Sequence, residues 1–379
     1  MPEVHAARRA ALAAHLAARD LPAALVTRLV NVRYLTGLDS SNACLLVRPD
    51  GAATLATDDR YALMAEQACP DVPVVRSRSG AADLLATALA EGRTRVGFEE
   101  HDVTVAVRDA WTGAVPGLAF VRLERPVERQ RVVKDAQEIT CLRRACELTD
   151  AAFADVLPTI APGVTELEIA RALEARMVQL GAEAPAFPSI VAAGDNGAIG
   201  HHHPADRPVA VGDLVTMDFG ARYGGYHADM TRTVAVGEPA DWQREMYDLV
   251  ARAQRAGREA LAPGVSSNDV DAAARDLITA AGHREHFQHG LGHGVGLEVH
   301  EDPFLSPTRP GEDPAAYAMR AATLQDGVPI TIEPGVYVPG RGGVRIEDTL
   351  IVRDGGPELL TKTTKELLVC ASGRGRSGR

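Results

Sequence analysis

Long hydrophobic runs are missing from this chain of 379 residues. A membrane-spanning helix needs roughly 20 apolar residues in a row, so none is expected. The opening MPEVHAARRAALAAHLAARDLP is rich in Ala and Arg with no continuous apolar core, and does not read as a signal peptide. Cysteine pairs are missing too. The five cysteines stand at 44, 69, 141, 146 and 370, none in a C-x-x-C pair, and their odd number argues against a disulfide framework. Cys141 and Cys146 fall in a helical pattern and read as packing. A reduced, cytoplasmic protein is expected. Basic charge is in short supply: 40 Lys and Arg face 51 Asp and Glu, a formal charge of -11. That excludes the basic footprint of a general nucleic-acid binder. Several catalytic signatures are absent as well. There is no G-x-S-x-G and no H-E-x-x-H. MDFG carries the D-F-G of protein kinases, but no H-R-D-x-x-x-x-N loop accompanies it. G-L-G-H-G-V-G does not join a strand to a helix with an acid further on, as a dinucleotide site would require.

The length suits two domains. Residues 1–128 read as a small α/β domain. A helix over 3–19 leads to a strand over 23–27, and the strands 43–51 and 51–57 turn at Pro49-Asp50-Gly51. Helices follow in DDRYALMAEQA and AADLLATALAEG, then a strand in TRVGFEE. No cluster of catalytic residue types appears there, so a structural or oligomerising role is expected. Residues 129–370 form the second domain, and the small, polar, basic tail 371–379 is expected to be disordered. Two helices in the second domain open alike. APGVTELEIARALEARMVQLG (161–181) and APGVSSNDVDAAARDLITAAG (262–282) both begin A-P-G-V, followed by an N-cap candidate, Thr165 in one and Ser266 or Ser267 in the other. This is an internal repeat of an α/β unit, with a site expected at the junction of its two copies.

Five residues in four short segments point to metal chemistry: Asp218, Asp229, His293, Glu333 and Glu347. LVTMDFGARYGGYHADMTRTVAV (214–236) reads as a hairpin around a Gly-Gly turn. With Tyr223-Gly224 as the loop, Asp218 falls opposite Asp229. With Gly224-Gly225 as the loop, the two are diagonal but still on one face, because side chains alternate with a period of two. TIEPGVYVPGRGGVRIEDTLIV (331–352) is a second hairpin. A three-residue loop centred on Gly340 sets Glu333 opposite Glu347, and Pro334 calls for a bend or bulge. Facing carboxylates are destabilising unless a cation lies between them. Four acids and one imidazole suit Mn²⁺, Co²⁺, Fe²⁺ or Mg²⁺ better than a structural zinc, and four negative ligands balance two divalent ions. A two-metal hydrolase is the expectation. His293 lies in a glycine-dense run with His300 seven residues on, and His201, His202 and His203 form a run before Pro204.

The ordered segments MDFGA, HADMTRT, GHGVGLEVHE, TIEPGVY and GVRIED resemble the metallopeptidases of the pita-bread fold, a family that includes prolidase, aminopeptidase P and methionine aminopeptidase. The match spans most of 126–370. The first domain, with NVRYLTGLDSS, resembles that of the prolidase and aminopeptidase P branch. The resemblance implies an α+β fold: a small N-terminal α/β domain, then a pita-bread metallopeptidase domain. It implies hydrolysis of the bond before proline, in a di- or oligopeptide, by a hydroxide bridging two divalent ions, with Mn²⁺ favoured and Co²⁺, Fe²⁺ or Zn²⁺ as alternatives. Asp218 would chelate one ion, His293 and Glu333 the other, and Asp229 and Glu347 would bridge. Glu333 would also shuttle the proton. His201, in H-H-H-P, and His300 would contact substrate and steady the tetrahedral intermediate, and Arg345 would sit near the substrate carboxylate. A homodimer is implied as well. On the same fold a creatinase-like amidinohydrolase works without the full ligand set, and a non-catalytic peptide-binding scaffold typically loses ligands; this chain keeps all five. The segment 303–327 is longer than that family requires and is expected to border the site, with Arg320 expected at the surface.

Overall fold

The computed structural model describes residues 2–307 and 322–371. Arg320 and residues 372–379 of the tail lie outside them. The chain divides into two compact units, residues 1–131 and 132–379.

The first unit is built on a six-stranded sheet. Its strands run, in spatial order, 74–76, 53–57, 43–47, 24–26, 95–98 and 119–122. The hairpin Ala43–Val47 with Ala53–Thr57 is antiparallel, and the other neighbours of Ala24–Val26 and Arg95–Phe98 complete a mixed sheet. Leu25, Leu46, Leu84, Leu85, Val96 and Trp111 fill its core. NVRYLTGLDS begins inside the helix Leu29–Thr36, which is closed by Gly37 in the left-handed region at φ 79°. Only glycine adopts that conformation cheaply.

The second unit is assembled from the repeat. Helices Ala136–Val156 and Glu166–Gln179 cover one sheet, and helices Asp241–Glu259 and Ser267–Ala280 cover another. Asp135 with Glu138, and Thr165 with Glu168, form reciprocal capping boxes, while Ser266 caps the helix it precedes. The two copies dock alike. Thr165 bridges to Pro208 and Ser266 to Thr323, and the glycine of each A-P-G-V donates to the residue after that bridge, Gly163 to Val209 and Gly264 to Leu324.

Under the first helix pair lies a sheet in the order 368–370, 230–236, 214–219, 190–193. Under the second lies one in the order 301–305, 292–294, 329–332, 348–351, 358–359. Period-two alternation splits each strand between core and site. Met217 and Phe219 point at the helices, where Phe219 stacks on Phe153 at 5.9 Å between ring centroids. Asp218 therefore points the other way. Ile330, Ile332, Ile346 and Leu350 enter the second core, which turns Thr331, Glu333 and Glu347 to the opposite face.

Candidate metal centre

Both hairpins present their acids from adjoining faces. Met230↔Phe219, Thr231↔Asp218 and Tyr223↔Tyr226 fix Gly224-Gly225 as the loop of the first. Asp218 is thus diagonal to Asp229; the register that sets them directly opposite does not occur. At the break between the two parts of this hairpin a Cβ on Gly220 would run into the carbonyl oxygen of Ala228. The second hairpin keeps one register throughout, with Ile332↔Asp348 on one side of Pro334 and Gly335↔Arg345 on the other. Glu333 therefore faces Glu347. The strand is broken at Glu333-Pro334, where a residue without an N–H cannot continue the ladder. His293 comes from Gly292–Gly294, beside Thr331. A Cβ on Gly292 would collide with the carbonyl oxygen of Thr331, so only glycine lets His293 approach this closely.

Asp229, His293 and Glu347 each place one ligand atom so that all lie within 4.8 Å of one another. His293 Nε2 is 3.6 Å from Asp229 Oδ2 and 3.3 Å from Glu333 Oε1. Its Nδ1 lies 3.0 Å from the carbonyl of Gly294, to which an Nδ1–H donates, leaving the Nε2 lone pair for an ion. Two threonines orient the carboxylates. Thr231 donates to Glu347 Oε2 at 2.7 Å, and Thr331 donates to Glu333 Oε1 at 3.3 Å while accepting from the backbone N–H of His293.

Three carboxylate oxygens here, Asp218 Oδ1, Asp229 Oδ1 and Glu347 Oε1, are buried without a hydrogen-bond partner. A buried carboxylate oxygen without a donor costs free energy. Burial, with the neighbouring acids Glu347, Asp218 and Glu333, holds Asp229 well above the usual carboxylate range, and burial with Glu333 and Asp218 does the same to Glu347. Burial pushes Glu333 up to about 8 and His293 down to about 3. Acids that resist ionisation around an imidazole that resists protonation fit divalent cations, which remove both conflicts at once.

A pH dependence follows. A carboxyl whose folded-state pKa is raised contributes stability that is full below its ordinary pKa and is lost as pH rises through the folded value. For Glu333 that window runs from 4.5 to about 8. The melting temperature of chelator-treated protein is expected to fall across this interval and that of metal-loaded protein to fall less. Parallel curves in differential scanning fluorimetry would show the acids are not coupled to an ion.

A cavity opens onto this cluster, lined among others by His201, Asp218, His293, His300, Glu333 and Tyr337. His300 is exposed and its ring meets that of His293 edge-on at 4.3 Å between centroids. Within the histidine run the structure separates three environments. His201 is exposed and lines the cavity, His203 is exposed, and His202 is half-buried, its Nε2 2.8 Å from Glu166. Phe304, Leu305 and Ser306 also line the cavity, so the start of the 303–327 segment does border the site; residues 308–321 lie outside the described residues.

Arg345 lines the same cavity. It is 3% exposed. Its Nη2 donates to Asp218 Oδ2 at 2.8 Å, Nε to Thr231 Oγ1 at 3.0 Å, and Nη1 to Tyr337 Oη at 2.8 Å and to the Gly200 carbonyl. A guanidinium so committed orients Asp218 and has little left for a substrate carboxylate. Spacing within GVRIED carries no sign of this, because the partners come from three other segments. Thr231, Thr331 and Tyr337 went unread for the same reason: a threonine or tyrosine on a strand has no distinctive pattern.

Residues 140–354 match the model of Metallopeptidase family M24, and residues 8–133 match that of the Creatinase/Prolidase N-terminal domain. The chain belongs to the M24 metallopeptidases. The two matches together span nearly its full length. It is 34% identical to the Xaa-Pro dipeptidase of Pyrococcus horikoshii over 92% of this chain and 95% of that protein. It is 36% identical to the uncharacterized peptidase YqhT of Bacillus subtilis over 91% and 95%. Among solved structures, the Xaa-Pro dipeptidase from Bacillus anthracis superposes with a TM-score of 0.89 at 34% identity, covering 96% of this chain and 99% of that one. The X-Pro aminopeptidase from Thermotoga maritima superposes at 0.83 and 33%, covering 93% and 97%. The M24 chain thus resembles bearers of both names, in a pita-bread fold of mixed helix and sheet. No helix among its described residues is long and apolar enough to cross a membrane.

Proposed function

We propose that this M24 peptidase is a metal-dependent hydrolase of the peptide bond preceding proline, acting on Xaa-Pro dipeptides or on longer peptides that begin Xaa-Pro. The observation that carries the reading is the set of partnerless carboxylate oxygens on two facing hairpins, beside a cavity edged by His201 and His300. Similarity to Xaa-Pro dipeptidases supports the substrate class.

Asp218, Asp229 and Glu347 would hold one ion, and His293 and Glu333 would join Asp229 and Glu347 on the other, with Mn²⁺ the proposed metal on the strength of its oxygen-rich ligands. Such a pair of ions supplies Lewis acidity and brings the pKa of water toward neutral. The chain's own residues do the rest. Glu333, the most exposed of the four acids, is placed to take a proton from attacking water and return it to the leaving nitrogen. That donation matters for proline, whose amide nitrogen carries no hydrogen. His201 and His300 face the cavity with ring nitrogens able to hydrogen-bond the oxygen that becomes negative in the tetrahedral intermediate. Arg345 and Thr231 keep Asp218 and Glu347 in place.

The five thiols are free, which supports the reduced, cytoplasmic setting we propose. The homodimer rests on family resemblance.

The test is cleavage of Ala-Pro and Ala-Pro-Ala side by side, with Mn²⁺-loaded protein and a chelated control. Preference for the dipeptide makes it a prolidase, and preference for the tripeptide an aminopeptidase. No cleavage of either by metal-loaded protein sinks the assignment. Replacing His300 by Ala is expected to lower kcat by roughly 10²- to 10³-fold, the usual loss for one oxyanion donor, with metal content unchanged. A shift in KM alone would assign His300 to ground-state binding.

A further inference from the structure

One carboxylate outside the metal cluster is better supplied with donors than any structural need of its own helix explains. Glu166 is fully buried at the first position of the helix Glu166–Gln179. Its Oε1 accepts from the backbone N–H of Ala193 at 2.7 Å and from Asn196 Nδ2 at 2.9 Å. Its Oε2 lies 2.8 Å from His202 Nε2, which donates to it, and accepts from the backbone N–H of Ala205 at 3.1 Å. All four donors belong to the stretch 193–205, none to the helix. The helix itself is capped by Thr165 and Glu168.

The internal repeat supplies a control. The position equivalent to Glu166 in the second copy is Ser267, also buried, whose hydroxyl accepts, among the described residues, one hydrogen bond, from the backbone N–H of Ala322. The fold of the repeat is therefore satisfied by a hydroxyl. The first copy carries a carboxylate in that place, and the stretch it gathers is the one that puts Gly200 and His201 on the cavity wall. Gly200 also offers its carbonyl to Arg345.

We propose that Glu166 and His202 are positioning residues for the reaction. Glu166 draws the 193–205 stretch inward by four hydrogen bonds, and the pull on His202 turns its neighbour His201 to the cavity. His201 and His202 sit at the end of a turn closed by the His202 N–H donating to the Ile199 carbonyl at 3.2 Å, so anchoring His202 fixes the backbone from which His201 projects into the cavity. A carboxylate is required because four donors converge; an amide would set its NH₂ against two of them. The kinetic arm of the test rests on the peptidase reading above, and the structural arm does not.

The experiment uses full-length, metal-loaded protein with Glu166→Gln, His202→Leu and His202→Gln. His202→Leu is expected to lower kcat/KM on Ala-Pro roughly 10- to 100-fold, the scale of a misplacement near 1 Å, with metal stoichiometry by calorimetry unchanged. His202→Gln, which keeps a donor, should restore most of the loss. The double variant His201→Ala/His202→Leu should be no worse than His201→Ala alone, because both act through one residue. Hydrogen exchange measured by mass spectrometry should quicken at 193–205 in Glu166→Gln and His202→Leu. Multiplying effects in the double variant, or unchanged protection of 193–205, would overturn the inference. If wild-type protein cleaves no Xaa-Pro peptide, the substrate assignment fails, and the exchange measurement alone decides the role of Glu166.

Discussion

Glu347→Gln is expected to raise the melting temperature of the metal-free protein while abolishing its peptidase activity. Stability and activity separate because Glu347 is 1% exposed and its carboxyl is held well above the usual range by burial and by Glu333 and Asp218. An amide removes that repulsion and still accepts the hydrogen bond from Thr231. The same change takes away a ligand shared between two ions. Several kcal/mol of charge stabilisation in the transition state is then lost, about three orders of magnitude or more in kcat/KM. Scanning fluorimetry with chelator and with Mn²⁺ measures both effects: the variant should melt above wild type without metal, and the rise on adding metal should shrink or vanish. A variant that melts lower without metal would mean that Glu347 contributes packing or hydrogen bonding that outweighs its charge.

The second large effect concerns a residue that touches no ligand atom. Arg232 is 2% exposed. It donates to the backbone carbonyls of Thr231, Glu347, Thr363 and Thr364 and to Asp348 Oδ1 at 2.8 Å. Asp348 in turn accepts from Gln254, Thr361 and Lys365. Removing one partner of a buried, fully bonded ion pair costs about 3–5 kcal/mol, here because Asp348 keeps only the half-buried Lys365 as counter-charge and four backbone carbonyls lose their donor. Arg232→Leu is expected to lower unfolding stability by that amount, or roughly 6–20 °C in melting temperature for a unit of this size. Arg232→Leu/Asp348→Leu should recover part of the loss, since the fully buried carboxylate goes with its guanidinium and only the partly exposed Lys365 loses a partner. Urea unfolding of the two variants is the check, and equal destabilisation of both would deny that charge pairing carries the effect.

How much of this was legible in sequence depends on whether the signal was local. Capping boxes and A-P-G-V openings involve residues within four positions of one another, and both helices start where Thr165 and Ser266 say they should. The second hairpin was readable because Pro339-Gly340-Arg341 fixes a register and parity then places Glu333 and Glu347 together. The first was half-readable: parity put Asp218 and Asp229 on one face, but two glycines in succession allow two loops, and only the ladder distinguishes them. The partners of Arg345 and Glu166 were not legible, and His201 was singled out from the three histidines only through the family resemblance. Arg345 binds residues 127 and 114 positions away, and Glu166 collects donors 27 to 39 positions away. No periodicity encodes such pairings. The six-stranded order of the first unit was hidden similarly, since its short strands Val74–Arg76 and Ala119–Arg122 carry no alternation long enough to detect.

The spread of the site along the chain has a consequence for synthesis. Thr231, which steadies Glu347, precedes it by 116 residues. The sheet bearing Asp218 is completed by Leu368–Cys370, which pairs in parallel with Met230–Val236. A ribosome adds about 5–20 residues per second, so for several seconds the first two aspartates exist without the imidazole or either glutamate. During that interval an ion finds only two carboxylates on an unfinished sheet edge. The full ligand set therefore exists only once Glu347 has been made, and the sheet bearing Asp218 is complete only with the last described strand.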